Sequence, residues 1–456
     1  MSIKNLNIVI LAAGKGTRMQ SALPKVLHRL AGKALLAHVI DVAKGLNPSK
    51  LVVIYGYGGD AVPKAFAYED IEWVEQKEQL GTGHAVLQAA PYLDEEGTTL
   101  ILLGDVPLLS KQSCLSLLDK TETIGLLTVS KPNPTGYGRI VRNDMKKILS
   151  IVEHQDATED QRSITEVNTG IIAVNNQYLK PWLSKLSNQN AQGEYYLTDI
   201  VAMAVNDGLN VVAEITHDEV SVEGVNSKAD LANLERVYQH RYAHSLMQAG
   251  ATLMDPLRID VRGSLVIGKD VEIDVGCVFE GAVVLGDGVR VGPYCVIKDS
   301  SIGAGSEIAA FTQIDHALVA SNCKLGPYAR LRPGAQINDG AHIGNFVEIK
   351  NSHLGANSKV NHLSYVGDAT IGKNVNIGAG TITCNYDGVN KYRTIIEDDV
   401  FIGSDTQLVA PVIIGEGATI AAGSTITKNA PAGQLTFCRA KDQKSIASWK
   451  RPVKKN

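Results

Sequence analysis

Cysteine is scarce, with six in 456 residues (114, 277, 295, 323, 384 and 438) and no CxxC spacing. That argues against a thiolate metal site and against a disulfide-stapled secreted scaffold. Charge of one sign is lacking too. The net charge is -4 with 20% charged residues, so there is no basic footprint for nucleic acid or a membrane surface. No run reaches the roughly 18 apolar residues of a membrane span. The apolar stretch within Met1–Leu11 carries one Lys and stops before Gly14, too short for a signal peptide. A cytoplasmic enzyme of two or three domains is the expectation.

What is present is a short period. From Ile267, steps of six reach Ile273, Phe279, Leu285, Val291 and Ile297. One step of five resumes the series at Ile302, Ile308 and Ile314, and another at Val319, Leu325, Leu331, Ile337, Ile343 and Ile349. Further short steps give Leu354, Val360, Val366, Ile371 and Ile377. After a break come Ile396, Ile402, Leu408, Ile414, Ile420 and Ile426. Gly often follows the stop, and a small residue such as Cys277, Cys295, Ala329 or Ala341 sits four places after it. So short a fixed period specifies a parallel β-helix, three hexapeptides to a triangular coil, with aliphatic and small residues inward. Coils stack at about 4.8 Å, and the glycines are expected to turn the corners. Cys277 and Cys295, 18 apart, should stack in successive coils as buried free thiols. A β-sandwich would instead show period-2 alternation with irregular turns.

The register assigns the outward residues. Arg332 and Lys350 each follow a stop and are one coil of 18 apart, on one outer face. Like charges so placed destabilise a sheet unless an anion lies between them, so the pair reads as a phosphate clamp. His362, two places after Val360, points outward from a different prism face. An imidazole titrating near neutrality suits the deprotonation of an attacking amine. A site using all three residues must wrap an edge near Tyr365 or be shared between subunits. Zinc chemistry is a rival, since His342, His353 and His362 are present, but they occupy three different hexapeptide positions and should not converge on one metal. The insertion Cys384–Thr394 breaks the coil and should project as a loop.

The N-terminal half reads differently. Leu6–Leu11 is a buried strand leading into Ala12-Ala13-Gly14-Lys15-Gly16-Thr17-Arg18 and then Leu23-Pro24-Lys25. Such a loop exposes backbone N–H groups to phosphate. It completes neither the Rossmann nor the P-loop fingerprint. Strands at Leu51–Tyr55 and Thr99–Leu103, with helical stretches from Lys33 and Gly83, predict a parallel α/β sheet. Ligands of such sheets sit beyond the carboxyl ends of the strands, where Gly104 and Asp105 fall. A carboxylate with amide oxygens suits Mg²⁺, which keeps few protein ligands. Ser227–Met247 has helical spacing with Ser227 as cap, and Gly250 and Pro256 end it.

Together LAAGKGTRM, LPK, Q-x4-GT, GDVPL, GYGRI, VEHQDA, EVNTG and VEGVNS resemble the sugar-nucleotide pyrophosphorylases. Joined to hexapeptide repeats, the whole chain resembles the bacterial bifunctional N-acetylglucosamine-1-phosphate uridyltransferase and glucosamine-1-phosphate N-acetyltransferase family. The resemblance implies a Rossmann-like α/β nucleotidyltransferase domain (1–226), a helical linker (227–249) and a left-handed parallel β-helix with a C-terminal tail (250–456). It implies homotrimers and a role in UDP-N-acetylglucosamine supply for peptidoglycan and lipopolysaccharide precursors. It further implies that Leu11, Ala12, Ala13 and Gly14 hold the nucleotide and that Lys25 contacts phosphate. Gln76, Gly81 and Thr82 would read the uracil of UTP. Leu103 and Gly104 would flank the nucleotide, although the family often has an aromatic where Leu103 stands. Gly138, Glu153 and Asn168 would hold N-acetylglucosamine 1-phosphate, and Asp105 and Asn226 would hold Mg²⁺. On the β-helix it implies His362 as base. Arg332, Lys350, Tyr365 and Asn376 would bind glucosamine 1-phosphate, and Ala379, Asn385, Tyr386, Ser404, Ala422 and Arg439 acetyl-CoA. The alternative is a single-activity nucleotidyltransferase whose β-helix serves only as an oligomerisation scaffold.

Overall fold

The computed structural model describes residues 5–438. Arg439 and the basic residues Lys441, Lys444, Lys450, Arg451, Lys454 and Lys455 of the tail lie outside the described residues. The chain forms two compact units, divided between Tyr238 and Gln239. No helix among the described residues is long and apolar enough to cross a membrane.

The first unit is built on strand Leu6–Ala12, whose Ile8, Val9 and Ile10 are fully buried because both faces of the sheet are covered. Lys50–Tyr55 and Thr98–Leu103 pair with it in parallel on either side. The sheet continues beyond Thr98–Leu103 through Glu166–Asn175 and Ile124–Ser130 to Val211–Thr216. Here the expectation of a parallel sheet is corrected. Glu166–Asn175 runs antiparallel to both of its neighbours, so the sheet is mixed. The single-sequence pattern misses this because a central strand, buried on both faces, looks the same in either direction.

Helix Lys228–Gln248 carries the division between the units. Ser227 caps it: its Oγ accepts from Asp230 N at 3.2 Å, and Asp230 Oδ2 accepts from Ser227 N at 2.8 Å. The reading of this segment as a linker arm needs refinement, since each half of the helix is packed. Leu231, Leu234, Val237 and Tyr238 join a cluster of the first unit, and Tyr242, Ala243 and Leu246 join the core of the second.

The second unit is the left-handed parallel β-helix. Its strands form an 11-stranded and a 17-stranded parallel sheet, the latter holding two interleaved ladders such as Leu331↔Ile349 and Ile337↔Leu354. Ile343, Ile349 and Val360 are each 0% exposed, so the six-residue stops are the core. Each such burial is worth about 2 kcal/mol, and no coil collects it without its neighbours.

The role given to the glycines is corrected. Gly344 has an ordinary φ, and a Cβ there would lie 2.0 Å from Asn361 O of the next coil. Glycine directly after the stop admits a close backbone neighbour and, apart from Gly326 at φ +92°, does not supply the corner conformation, whereas glycines three places after it, such as Gly288, Gly305 and Gly340, do. The left-handed corners fall to residues such as Tyr294, Phe311, Tyr328, Phe346 and Leu363, at φ 51–59°. The first four stack their rings at 5.0–5.3 Å, which offsets the conformational cost.

Cys277 and Cys295 are free and buried, as are Cys114 and Cys323. Burial pushes the Cys277 thiol up to about 12 and the Cys295 thiol up to about 11. Thiolate is the reactive form. A thiol reagent at neutral pH should therefore label exposed Cys438 first and half-buried Cys384 more slowly. The four buried thiols should react only after unfolding, as peptide mapping would show. Rapid labelling of Cys277 in the folded chain would contradict the coil register.

Candidate active sites

Two adjoining cavities, of ≈ 590 and ≈ 450 Å³, open at the carboxyl ends of the first unit's strands and share Leu11, Thr82, Leu103 and Asp105. Ala12, Ala13, Gly14, Lys25, Gln76 and Gly81 line the smaller one. Gly138, Glu153, Asn168 and Asn226 line the larger. Every nucleotide and sugar residue expected above, apart from Gly104, thus borders one continuous space. Gly104 sits just behind it, its N–H donating to Leu11 O at 2.9 Å.

The chain brings Asp105 and Asn226 together through the main chain: Val225 N donates to Asp105 O at 2.9 Å. Both side chains then meet the Lys25 ammonium. Asp105 Oδ2 is ion-paired with it, and Asn226 Oδ1 accepts from Nζ at 3.3 Å. Two hard oxygens converge on one positive charge, with Lys25 Nζ standing where a cation would sit. This donor set fits Mg²⁺, which takes one or two protein oxygens and completes its shell with water and phosphate. In the larger cavity Glu153 Oε1 accepts from Thr198 Oγ1 at 3.0 Å, and burial raises its carboxyl above the ordinary range. Gly138 O accepts from Asn168 N at 2.8 Å, tying two residues of the larger cavity's lining together. Thr198 escaped the sequence reading because nothing local marks it.

On the β-helix the structure explains why charge collects where it does. Register along one outer column gives Arg262, Glu280, Lys298, Asp315, Arg332 and Lys350 in successive coils. Sign alternates strictly until Arg332 and Lys350, where two cations are adjacent. The expected clamp is amended at this point. Arg332 Nη1 pairs with Glu348 Oε1 at 2.7 Å, and Arg330 lies 3.6 Å from the same carboxylate. Lys350 makes no ion pair among the described residues, so the uncompensated charge is its own. Tyr365 joins it: the next residue in the Lys350 column is Gly367, and a Cβ there would lie 2.4 Å from Tyr365 Oη. Arg332, Lys350 and Tyr365 therefore share a face. Asn376 belongs to the other, 11-stranded sheet.

His362 is exposed on that second sheet. Its Nδ1 faces Asn345 Oδ1 at 2.8 Å, one coil away in register. That partner keeps the proton on Nδ1 and leaves Nε2 free to accept one. Asn345 was missed, although counting back one coil from His362 finds it. His342 and His353 do not join His362 in one cluster; His353 Nε2 meets Asn338 at 3.1 Å on the other sheet. Counting forward from His362, register places Ala379, Ser404 and Ala422 in the same column, joined by Gly380 N→His362 O, Asp405 N→Ala379 O and Gly423 N→Ser404 O. The column beyond the imidazole thus carries only small side chains.

Asn385 and Tyr386 part company. Tyr386 is exposed, whereas Asn385 is buried and its Nδ2 donates to Asp368, which also takes Asn351 Nδ2 at 2.5 Å. Burial opposes charge on Asp368, yet these two amides hold its carboxyl below the ordinary range. The Asn385 side chain is thus spent on seating the inserted loop.

Residues 8–164 match the family described as MobA-like NTP transferase domain, residues 261–335 the GMPPB C-terminal domain, and residues 393–428 the bacterial transferase hexapeptide (six repeats). The chain is 65% identical over 449 residues to the bifunctional protein GlmU of Methylobacillus flagellatus, covering 98% of each. It is 59% identical to those of Nitrosospira multiformis (99% of each) and Janthinobacterium sp. (98% of this chain, 99% of that one). Identity of that order along both units, over the geometry just described, leaves one conclusion: the chain belongs to the bifunctional GlmU family.

Proposed function

We propose that the two sites act in sequence in making UDP-N-acetylglucosamine, with the residues named above in the following roles. The chain is a bifunctional transferase. Acetyl-CoA acetylates the amine of glucosamine 1-phosphate on the β-helix, and UTP then uridylylates the product in the first unit with release of pyrophosphate. In the acetyl site His362 Nε2 takes a proton from the sugar amine as the amine attacks the thioester carbonyl, and Asn345 holds the ring in the required tautomer. Lys350, Arg332 and Tyr365 receive the sugar phosphate, and Asn376 meets the sugar. The pantetheine arm lies along Ala379, Ser404 and Ala422. Arg439 would meet a coenzyme A phosphate.

In the uridylyl site the protein's work is positioning and charge neutralisation around an in-line displacement at the α-phosphorus. Leu11–Gly14 and Lys25 seat the triphosphate, Gln76, Gly81 and Thr82 the base, and Gly138, Glu153 and Asn168 the sugar. Mg²⁺ held by Asp105 and Asn226 would neutralise the phosphates that meet there. Lys25 must swing from Asp105 to phosphate as the nucleotide enters.

His362 and Lys350 lie on different faces of one prism, which supports a homotrimer whose acetyl sites are shared between subunits. A soluble cytoplasmic location fits the substrates. The observation that carries the reading is His362, paired to Asn345 at the head of the small-residue column.

Mixing the chain with glucosamine 1-phosphate, acetyl-CoA, UTP and Mg²⁺ tests it. Thiol release should come first and pyrophosphate release should depend on it. With N-acetylglucosamine 1-phosphate supplied, pyrophosphate should appear without acetyl-CoA. Pyrophosphate release with no thiol release under any condition would leave the β-helix a scaffold.

A further inference from the structure

Gln76 is 3% exposed yet borders the smaller cavity. Its Nε2 is spent inside the protein, donating to Gly81 O at 3.2 Å and meeting His84 Nδ1 at 3.0 Å. Its Oε1 makes no hydrogen bond to the protein among the described residues. Both anchors are rigid. Gly81, at φ +115°, is hemmed in by Tyr195, where a Cβ would lie 2.6 Å from Tyr195 O. Leu80 O accepts from Tyr195 N at 2.8 Å, and Gly83 N donates to Tyr195 O at 2.8 Å. His84 sits on helix Thr82–Ala89 with its ring 6.4 Å from that of Tyr195.

The other side of the imidazole decides its tautomer. His84 Nε2 meets the Gln88 side-chain amide at 3.2 Å. A neutral imidazole has one N–H and one acceptor, so two amide NH₂ groups cannot both donate to it. Gln76 cannot be the one reversed, because its oxygen would then face Gly81 O. Gln88, half-buried and with only one further weak contact, at 3.4 Å to His84 O, is the one that presents its oxygen. The chain therefore runs Gln88 Oε1, H–Nε2 of His84, Nδ1 of His84, H–Nε2 of Gln76, and ends with Gln76 Oε1 aimed into the cavity.

We propose that His84 is a specificity-positioning residue: with the Gly81 carbonyl, it locks the Gln76 amide so that an acceptor faces the nucleobase. This rests on the reading that Gln76 meets the base. Uracil has one ring N–H free to donate, at N3, whereas cytosine has an acceptor there. A locked acceptor rewards the first and repels the second. A freely turning amide would accommodate both, as an unlocked site loses discrimination when its polar group can re-pair.

The test compares kcat/KM for UTP and CTP in the full chain. His84→Leu removes the acceptor at similar size, and His84→Ala serves if Leu is not accommodated. The UTP-over-CTP ratio should fall by about tenfold, and His84→Gln, which offers an amide oxygen, should restore most of it. Unchanged far-ultraviolet dichroism, with unchanged thiol release at the acetyl site, reports that each variant is folded. An unchanged ratio in folded His84→Leu and His84→Ala, with Gln76→Ala crippling UTP use, would overturn the role of His84. Unimpaired UTP use by Gln76→Ala would instead remove the reading of Gln76, and the inference with it.

Discussion

An Asp105→Ala variant should release pyrophosphate from UTP and N-acetylglucosamine 1-phosphate at least about 10³-fold more slowly than the unchanged chain, and release coenzyme A thiol at the same rate. Among the described residues Asp105 is the only carboxylate ion-paired with Lys25, and Asn226 supplies the second oxygen on the same ammonium. On the proposed roles two anionic substrates would meet within reach of that pair, and losing the carboxylate would remove the fixed charge that organises the cations. Uniform substrate binding is little affected, so the loss should fall on kcat more than on KM. Asp105→Asn, which keeps an oxygen and loses the charge, should fall between the two, and extra Mg²⁺ should recover part of its deficit. Both activities run on one sample, so a global folding defect would announce itself, and unchanged far-ultraviolet dichroism checks the first unit. Loss of both in a variant with unchanged far-ultraviolet dichroism would refute the separation of the two sites.

The repeat was legible because every coil restates the same constraint: a buried aliphatic stop, a small inward residue and a fixed return. From that alone follow the burial of Ile343, Ile349 and Val360, the outward direction of His362 and the adjacency of Arg332 and Lys350. Less legible was anything lying across two columns. Glu348 neutralises Arg332 from two residues before Lys350, where the register argument looked only along one column. Asn345, by contrast, lies in the His362 column itself, one 17-residue coil back. Asn385 stands at the root of the insertion, where its side chain meets Asp368, while Tyr386–Arg393 are exposed. In the first unit the residues quoted by motif gather around one space, but what ties them is remote in sequence. The Val225–Asp105 backbone bond and Thr198 on Glu153 are examples. Periodicity carries no information about such contacts, since each depends on where two separate strands end.

Replacing His362 by Ala should slow acetyl transfer by about 10²- to 10⁴-fold and leave uridylyl transfer to supplied N-acetylglucosamine 1-phosphate untouched. Asn345→Ala should cost less, since the imidazole remains and only its tautomer and direction are lost. A loss in Asn345→Ala larger than that in His362→Ala would contradict these roles. The stronger test uses the division of the site between faces. Lys350→Ala should also abolish acetyl transfer, by removing the cation that stands beside Arg332 with no ion pair among the described residues. If each complete site takes His362 from one subunit and Lys350 from another, co-expressing His362→Ala with Lys350→Ala should regenerate activity. With random assembly each half-site is intact in half of the subunits, so about a quarter of the unchanged rate should return. If both residues serve one chain around a prism edge, every site stays broken and no activity returns. Mixing the purified variants without exchange of subunits should give none in either case. Recovery in the co-expressed sample alone therefore locates the site between chains, and its absence with both variants confirmed in one oligomer would return the chemistry to a single prism.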